Sequence, residues 1–154
     1  MNILEQKVSF FKTTKNTEVL GNFPIEKALE YIKDGKFKEQ IDKVRAGDAS
    51  QKTKLPMHGI FSNERKKDQF IEASGLIILD IDDVEIDQLE IIKSEIMEDH
   101  SSVLAAMISP SGNGIKVLYY ISPEIITAEN YRQIGKQLVQ DFIVYGSVDY
   151  LSVT

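Results

Sequence analysis

The sequence predicts an α+β fold, a two-layer arrangement in which a mixed β-sheet carries helices packed on it. An apolar run that begins the segment 75–82 predicts a central, buried strand. Two further apolar segments, 103–109 and 115–122, are separated only by a short turn, so they are predicted to form an antiparallel hairpin. Amphipathic helices are predicted over 86–96, by apolar residues at helical spacing, and over 127–144, with Thr127 as its N-cap.

The first half of the chain predicts smaller elements of the same kinds. The segment 7–12 is predicted to be an opening strand, and "HGIFS" (58–62) a second short strand. Helices are predicted from Pro24 to Gly35 and from Phe37 to about Gly47, because glycine commonly terminates helices. The length of 154 residues is typical of one domain, so residues 1–154 are treated as a single domain.

Composition excludes several classes of protein. The sequence contains no cysteine, which excludes disulfides and thiolate metal sites. There is no apolar run long enough to cross a membrane, and the first residues lack a secretory signal pattern, so a cytoplasmic protein without membrane contact is expected. The net charge of −6 argues against a tight DNA clamp, but it allows an enzyme that contacts nucleic acid transiently.

Acidic residues end the predicted central strand. Asp80 and Asp82 lie on the same face because side chains alternate along a strand, which places them about 7 Å apart. Such a pair is favourable when a hard cation such as Mg²⁺ or Mn²⁺ lies between the carboxylates, and such ions support phosphoryl or nucleotidyl transfer. The alternative is a strand that simply ends in solvent. Asp83 points the other way and is predicted to cap the next helix.

The turn between the two hairpin strands is the second candidate element. Gly112 and Gly114 allow close approach of backbone amides to a ligand, Ser109 and Ser111 supply hydroxyls, and Lys116 supplies a positive charge. These groups can together cradle a triphosphate facing the acid pair. The alternative is an ordinary hairpin turn, which serine, glycine, asparagine and proline favour for local reasons.

Three segments together resemble a known family. "KLP" (54–56), "SGLIILDID" (74–82) and "SPSGNGIKV" (109–117) resemble the VirE amino-terminal domain, a family of the primase-polymerases in the archaeo-eukaryotic primase superfamily. The resemblance covers roughly residues 45 to 150. It implies a primase-polymerase (RRM-like) catalytic core that belongs to a replication protein of a phage or mobile element.

The resemblance also implies roles for individual residues. Asp80, Asp82 and Asp149 would bind Mg²⁺ or Mn²⁺ and carry catalysis of nucleotidyl transfer. The nucleotide phosphates would be contacted by Ser109, Ser111, Gly112, Gly114 and Lys116. The implied partners are nucleoside triphosphates, a transiently bound DNA template and a helicase domain or protein, and the chain would be the N-terminal fragment of a longer protein. Lys116 departs from the pattern, because other primases of that superfamily carry histidine there.

Two other functions are compatible with the same residues. A haloacid-dehalogenase-type phosphatase also ends a buried strand in two aspartates, although the downstream acidic motif of that class is missing here. A non-catalytic primase-like module that binds nucleotide or DNA is favoured by the acidic charge and by Lys116.

Overall fold

The computed structural model describes residues 2–11, 17–51, 59–127 and 129–150. These residues form two compact units, which divide between Ser74 and Gly75. Each unit contains helices and antiparallel strands, so the α+β prediction is confirmed at this level.

The first unit contains two small sheets and two helices. Strand β1 pairs with β2, and β3 pairs with β4, in both cases antiparallel. The elements are β1 (Lys7–Phe11), β2 (Val19–Pro24), α1 (Ile25–Lys33), α2 (Lys38–Arg45), β3 (Gly59–Phe61) and β4 (Phe70–Ala73). Its interior includes Phe61, whose ring lies 6.0 Å from that of Phe11 and 5.2 Å from that of Phe70. The buried hydroxyl of Ser9 accepts a hydrogen bond from the Phe61 amide, which joins the two sheets.

The second unit is a four-stranded antiparallel sheet with two helices. The strand order is β6–β7–β5–β8, so β5 is an interior strand with a neighbour on each side. The elements are β5 (Leu76–Asp82), α3 (Leu89–Asp99), β6 (Val103–Ile108), β7 (Ile115–Tyr120), α4 (Tyr131–Phe142) and β8 (Ser147–Tyr150).

One face of this sheet packs against α4. In an antiparallel sheet, residues directly opposite each other point to the same face. The residues of this face are Ile77, Leu79 and Ile81 of β5, Ile115, Val117 and Tyr119 of β7, and Tyr150 of β8. The Phe142 ring of α4 lies 5.9 Å from that of Tyr119, and a Cβ atom at Gly135 would lie 2.5 Å from the Tyr150 ring. The opposite face therefore carries the side chains of Asp80, Asp82, Lys116 and Asp149.

The end of α3 joins α4 on the same side of the sheet. The imidazole of His100 stacks on the Phe142 ring with 4.2 Å between centroids, and its Nε2 lies 3.3 Å from the Tyr145 hydroxyl. Tyr131 at the start of α4 is buried and donates a hydrogen bond to the Leu76 carbonyl. Its burial raises the phenol pKa, so the side chain stays neutral in the folded protein. Helix α4 therefore supports β5 from one face, and the end of α3 packs against α4.

Most predicted elements are present with small changes in their bounds. The structure confirms the opening strand, both early helices, the central strand, the helix after it and the 103–122 hairpin. The predicted long helix begins later, at Tyr131 with Asn130 as its N-cap, although Thr127 and Asn130 form the reciprocal hydrogen bonds typical of a capping box. Three strands were not predicted, namely β2, β4 and β8.

Two further predictions are wrong. The mixed sheet is not found, because every strand pair in the described residues is antiparallel. Asp83 does not cap the following helix. It instead adopts a left-handed conformation with φ of 60°, and α3 is preceded by a 3₁₀ turn at Ile86–Gln88. The chain therefore turns sharply at the end of β5.

No helix in the described part of the chain is long and apolar enough to cross a membrane.

Candidate functional site

The candidate site is formed where three strands bring charged residues side by side. Asp80 of the interior strand β5 lies directly opposite Lys116 of β7 and directly opposite Asp149 of β8. Asp82, two residues further along β5, lies on the same face and opposite Ser147. Sheet register alone therefore places three acids and one lysine on one patch of the face opposite α4.

Asp80 and Lys116 form a partly buried ion pair. The Lys116 ammonium donates to Asp80 Oδ2 at 2.5 Å, and the side chains of Lys116 and Asp80 are only 22% and 23% exposed. The other carboxylate oxygen, Asp80 Oδ1, is buried and has no hydrogen-bond partner among the described residues. A buried carboxylate oxygen without a partner is unfavourable, because desolvation is not compensated. Asp80 therefore has one oxygen whose capacity to accept a hydrogen bond is unused among the described residues.

The other two acids are more exposed than Asp80 and are arranged differently. Asp149 lies on the edge strand β8, where its Oδ1 accepts a hydrogen bond of 2.7 Å from the Tyr150 amide. Asp82 is exposed at the end of β5. Within the described ranges, no three histidine, aspartate or glutamate side chains are grouped closely enough to hold a metal ion. In this conformation Lys116, not a second carboxylate, is the direct partner of Asp80.

The turn between β6 and β7 is tightly hydrogen-bonded. The Ser109 amide donates to the Gly114 carbonyl at 2.8 Å, and the Gly112 amide donates to the Ser109 carbonyl at 2.9 Å. Gly112 has a φ of 83°, which favours glycine over other residues. The Ser109 hydroxyl is buried and lies 3.0 Å from that of Ser111. The turn predicted to contact phosphate is therefore closed, and it presents two neighbouring hydroxyls.

The turn also packs against the end of β5, next to Asp82. A Cβ atom at Gly114 would lie 3.2 Å from Asp82 Oδ1 and 3.4 Å from Ser109 Oγ. The Val84 amide donates to the Asn113 carbonyl at 3.3 Å, which ties the turn to the chain just beyond the acids. The predicted phosphate-contacting residues and Asp82 are therefore neighbours in space, although they are distant in sequence.

We expect Gly114→Ala to destabilise this junction. The added Cβ would lie 2.6 Å from the Ile81 carbonyl oxygen, a backbone atom that moves only if the strand or the turn shifts. Overpacking of this kind costs about 1–3 kcal/mol, which is measurable as a reduced free energy of unfolding in urea. Asn113→Ala is the matched control, since its carbonyl bond to Val84 is retained. Equal stability of Gly114→Ala and wild type would show that the turn does not pack closely on β5.

Sequence reasoning missed three features of this site. The pairing of Lys116 with Asp80 was not predicted, because Lys116 was interpreted only as a phosphate contact. Ser147 opposite Asp82 and the Asn113 carbonyl contact were also missed. No signal within either segment could have identified the ion pair, because a one-residue change in the register between β5 and β7 would place Lys116 on the other face of the sheet.

Comparison with protein families gives one match. The family described as "BT4734-like, N-terminal domain" matches residues 49–142, which is more than half of the chain. The match includes Asp80, Asp82 and the 109–116 turn, but ends before Asp149. Comparison with curated proteins and with solved structures gave no significant match.

The match corrects the family inferred from the three sequence segments. The assignment to the VirE amino-terminal domain of the primase-polymerases is wrong, because the matching family is a different one. One of the three segments, "KLP" at 54–56, lies outside the described residues. The other two segments form features that are present in the structure, a strand that ends in aspartates and a turn rich in glycine and serine.

Proposed function

The chain belongs to the family of the BT4734-like, N-terminal domain, and we propose that the face around Asp80 and Lys116 binds a nucleoside triphosphate together with a divalent cation for nucleotidyl transfer. The observation that carries this proposal is the Asp80–Lys116 ion pair, with the second Asp80 oxygen buried and without a partner among the described residues. Asp149 on one side and the Ser109–Lys116 turn on the other complete the proposed site.

Charge balance supports a ligand of this kind. The Asp80–Lys116 ion pair carries no net charge. A ligand that separates the two residues without a large cost in free energy must therefore bring a positive charge to Asp80 and a negative charge to Lys116. A metal ion alone would leave the ammonium of Lys116 without a counter-charge in a partly buried place, and phosphate alone would do the same to Asp80. A triphosphate with its cation satisfies both residues.

The residues present fit a hard divalent cation. Mg²⁺ and Mn²⁺ prefer carboxylate oxygens and are usually held by one or two carboxylates together with substrate phosphates. Asp80, Asp82 and Asp149 share one face of the sheet but are not grouped closely enough to hold an ion in the described conformation, so in the proposed complex their side chains would move together around it. Such ions supply charge stabilisation for the attacking and leaving oxygens of nucleotidyl transfer. Lys116 and the hydroxyls of Ser109 and Ser111 would bind phosphate oxygens, and the amides near Gly112 and Gly114 would approach them closely.

We further propose that the second unit is an RRM-like catalytic core of the kind that primases and polymerases use, and the arrangement of its sheet supports this. Its support is an antiparallel four-stranded sheet with α3 and α4 on one face and the charged patch on the other. A DNA template as partner, an associated helicase and a role in replication of a phage or mobile element stay predictions. Continuation of the gene into a helicase-like region would test the last two.

Thermal melting tests the proposal directly. We expect Mn²⁺ alone and a non-hydrolysable deoxynucleoside triphosphate alone to change the melting temperature little. Added together at about 100 times the dissociation constant, they should stabilise the fold by about 2.7 kcal/mol, or about 5–10 °C for a chain of this size. An equal shift with Mn²⁺ alone would contradict the charge-balance argument, and no shift with both would contradict the proposed site.

A second candidate is a non-catalytic module that binds the same ligand. It is favoured by the pairing of Asp80 with Lys116 and by the lack of a three-acid group among the described residues. Stabilisation by triphosphate and Mn²⁺ without incorporation of labelled nucleotide into a primed template would support this alternative over catalysis.

A further inference from the structure

We propose that the outer edge of β6 binds an extended, basic peptide segment of a partner protein as an additional strand of the sheet. β6 lies at one end of the strand order β6–β7–β5–β8, and no described strand pairs with its outer edge. Addition of a peptide strand to an open sheet edge is a recurring mode of peptide recognition. β7 separates this edge from Asp80, so the proposed interaction is independent of the proposed function.

The outer edge of β6 presents backbone groups that no described strand pairs. The Ser109 amide points toward β7, since it donates to the Gly114 carbonyl. Backbone groups alternate in direction along a strand of an antiparallel pair, so those of Met107 also point toward β7. The amides and carbonyls of Ala106 and Ile108 therefore point outward, where a further strand can bind them.

The side chains of β6 do not protect this edge. Its sequence is VLAAMI, which contains neither a charged residue nor a proline, the residues that commonly prevent edge pairing. Five of its six residues are partly exposed. The pairing with β7 is irregular between Val103 and Ala105, but it is regular from Ala105 to Ile108. The stretch 105–108 is therefore the part of the edge that can receive another strand.

A groove of about 470 Å³ runs along this edge. Ala105 and Ala106 both line it, and they point to opposite faces of the sheet, so the groove includes the strand edge between them. The two alanines are small, and Met97 of α3, which is 44% exposed, is flexible. The groove can therefore accept apolar side chains of an added strand. Its other lining residues are Lys93, Ser94, Glu98 and Leu104.

Charge identifies the kind of partner. Helix α3 contains four acids and one lysine, a net charge of −3. The lysine, Lys93, is already paired with Glu90 at 2.5 Å, whereas Glu98 forms no ion pair with any described residue. A second copy of the chain, paired through β6 about a two-fold axis, would bring another acidic α3 to the same side of the joined sheet. A segment of alternating apolar and basic residues instead supplies a cation to Glu98, and it is the expected occupant.

The test is binding of a fluorescent six-residue peptide in which valine and lysine alternate, followed by anisotropy with the full chain. Glu98→Lys should lower the affinity by about fivefold or more, because it replaces an attraction by a repulsion. Glu95→Lys is the matched control, since it changes the net charge equally at an exposed position of α3 outside the groove. The control variant should bind the peptide as wild type does.

Amide hydrogen exchange distinguishes strand addition from other binding in the groove. With the peptide at about 100 times its dissociation constant, exchange of the Ala106 and Ile108 amides should slow by up to about 100-fold. The Met107 amide points toward β7 and should change little. Equal slowing at Ala106 and Met107 would overturn the inference, because it would show general stabilisation without pairing at the edge.

Three further outcomes would overturn the inference. They are unchanged affinity in Glu98→Lys, an equal loss in Glu95→Lys, and a homodimer in sedimentation that excludes the peptide. Melting with Mn²⁺ and triphosphate separates this inference from the proposed function. Glu98→Lys should keep the ligand-dependent shift while losing the peptide, and Asp80→Asn should do the reverse.

Discussion

Asp80→Asn is expected to abolish the stabilisation of the fold by Mn²⁺ with triphosphate, together with any nucleotidyl transfer. Asp80 is the least exposed of the three acids and the one whose buried oxygen lacks a partner among the described residues. An amide is neutral and a poorer ligand for a hard ion. Residues that only support metal ligands typically change affinity by 10–100-fold, so loss of a direct ligand should cost about 100-fold or more. Melting and primer-extension assays measure the two effects.

Asp83→Asn is the matched control for this experiment. Asp83 is an acid close to Asp80 in sequence, but it is exposed, lies one residue beyond the end of β5 and is not on the strand face of Asp80. Its positive φ is one that asparagine adopts readily, so the backbone should be unaffected. An equal loss of ligand-dependent stabilisation in both variants would show that general negative charge, not the site at Asp80, attracts the cation. Identical melting of wild type and Asp80→Asn under all conditions would show that the acids only end a strand.

We expect the second large effect in Lys116→Ala, which removes one partner of the Asp80–Lys116 ion pair and should lower the free energy of unfolding. A lysine that contacts only phosphate can be removed without cost to the fold. Lys116, however, neutralises Asp80 in a place where both side chains are about one-fifth exposed. Lys116→Ala leaves that carboxylate with no partner, and an unsatisfied, largely buried charged group costs about 1–3 kcal/mol. Urea unfolding at constant pH measures this loss.

The double variant Asp80→Asn/Lys116→Met separates stability from binding. Removing both charges leaves no uncompensated group, so the free energy of unfolding should return to within about 1 kcal/mol of the wild-type value. Binding of triphosphate with Mn²⁺ should nevertheless remain lost, because both ligand contacts are gone. Wild-type stability in Lys116→Ala would contradict the ion pair, and retained ligand binding in the double variant would contradict the proposed site.

Local sequence patterns were sufficient for the elements whose signal is contained in a few residues. The apolar run 76–79 predicted the buried strand, and the short "PSGNG" turn predicted the hairpin. Strand β8 was missed because only four residues form it, too few for the alternation of Val148 and Tyr150 with Ser147 and Asp149 to stand out from chance. The mixed sheet was predicted wrongly for a related reason, since pairing between strands distant in sequence is set by packing of the whole unit.

The part of the candidate site that lies within one strand was predicted, whereas the contacts between strands were not. Alternation along β5 predicted that Asp80 and Asp82 share a face, which the register shows. The register between β5 and β7 is a long-range property, so the partner of Asp80 was not predictable from either segment alone. The family was assigned wrongly because acids at strand ends and serine-glycine turns meet general needs of charge and backbone geometry. Short segments of that kind therefore do not distinguish one family from another.

The position of β8 in the sheet has a consequence for how the site comes into existence during folding. The hairpin of β6 and β7 joins residues that are near in sequence, whereas Asp149 meets Asp80 only after a loop of about 70 residues has closed. Closing a long loop costs more chain entropy, and such contacts form after local ones. The turn between β6 and β7 would therefore be in place before Asp149 reaches Asp80. A chain still emerging during synthesis would carry the turn and Asp80 long before it acquired a complete set of carboxylates.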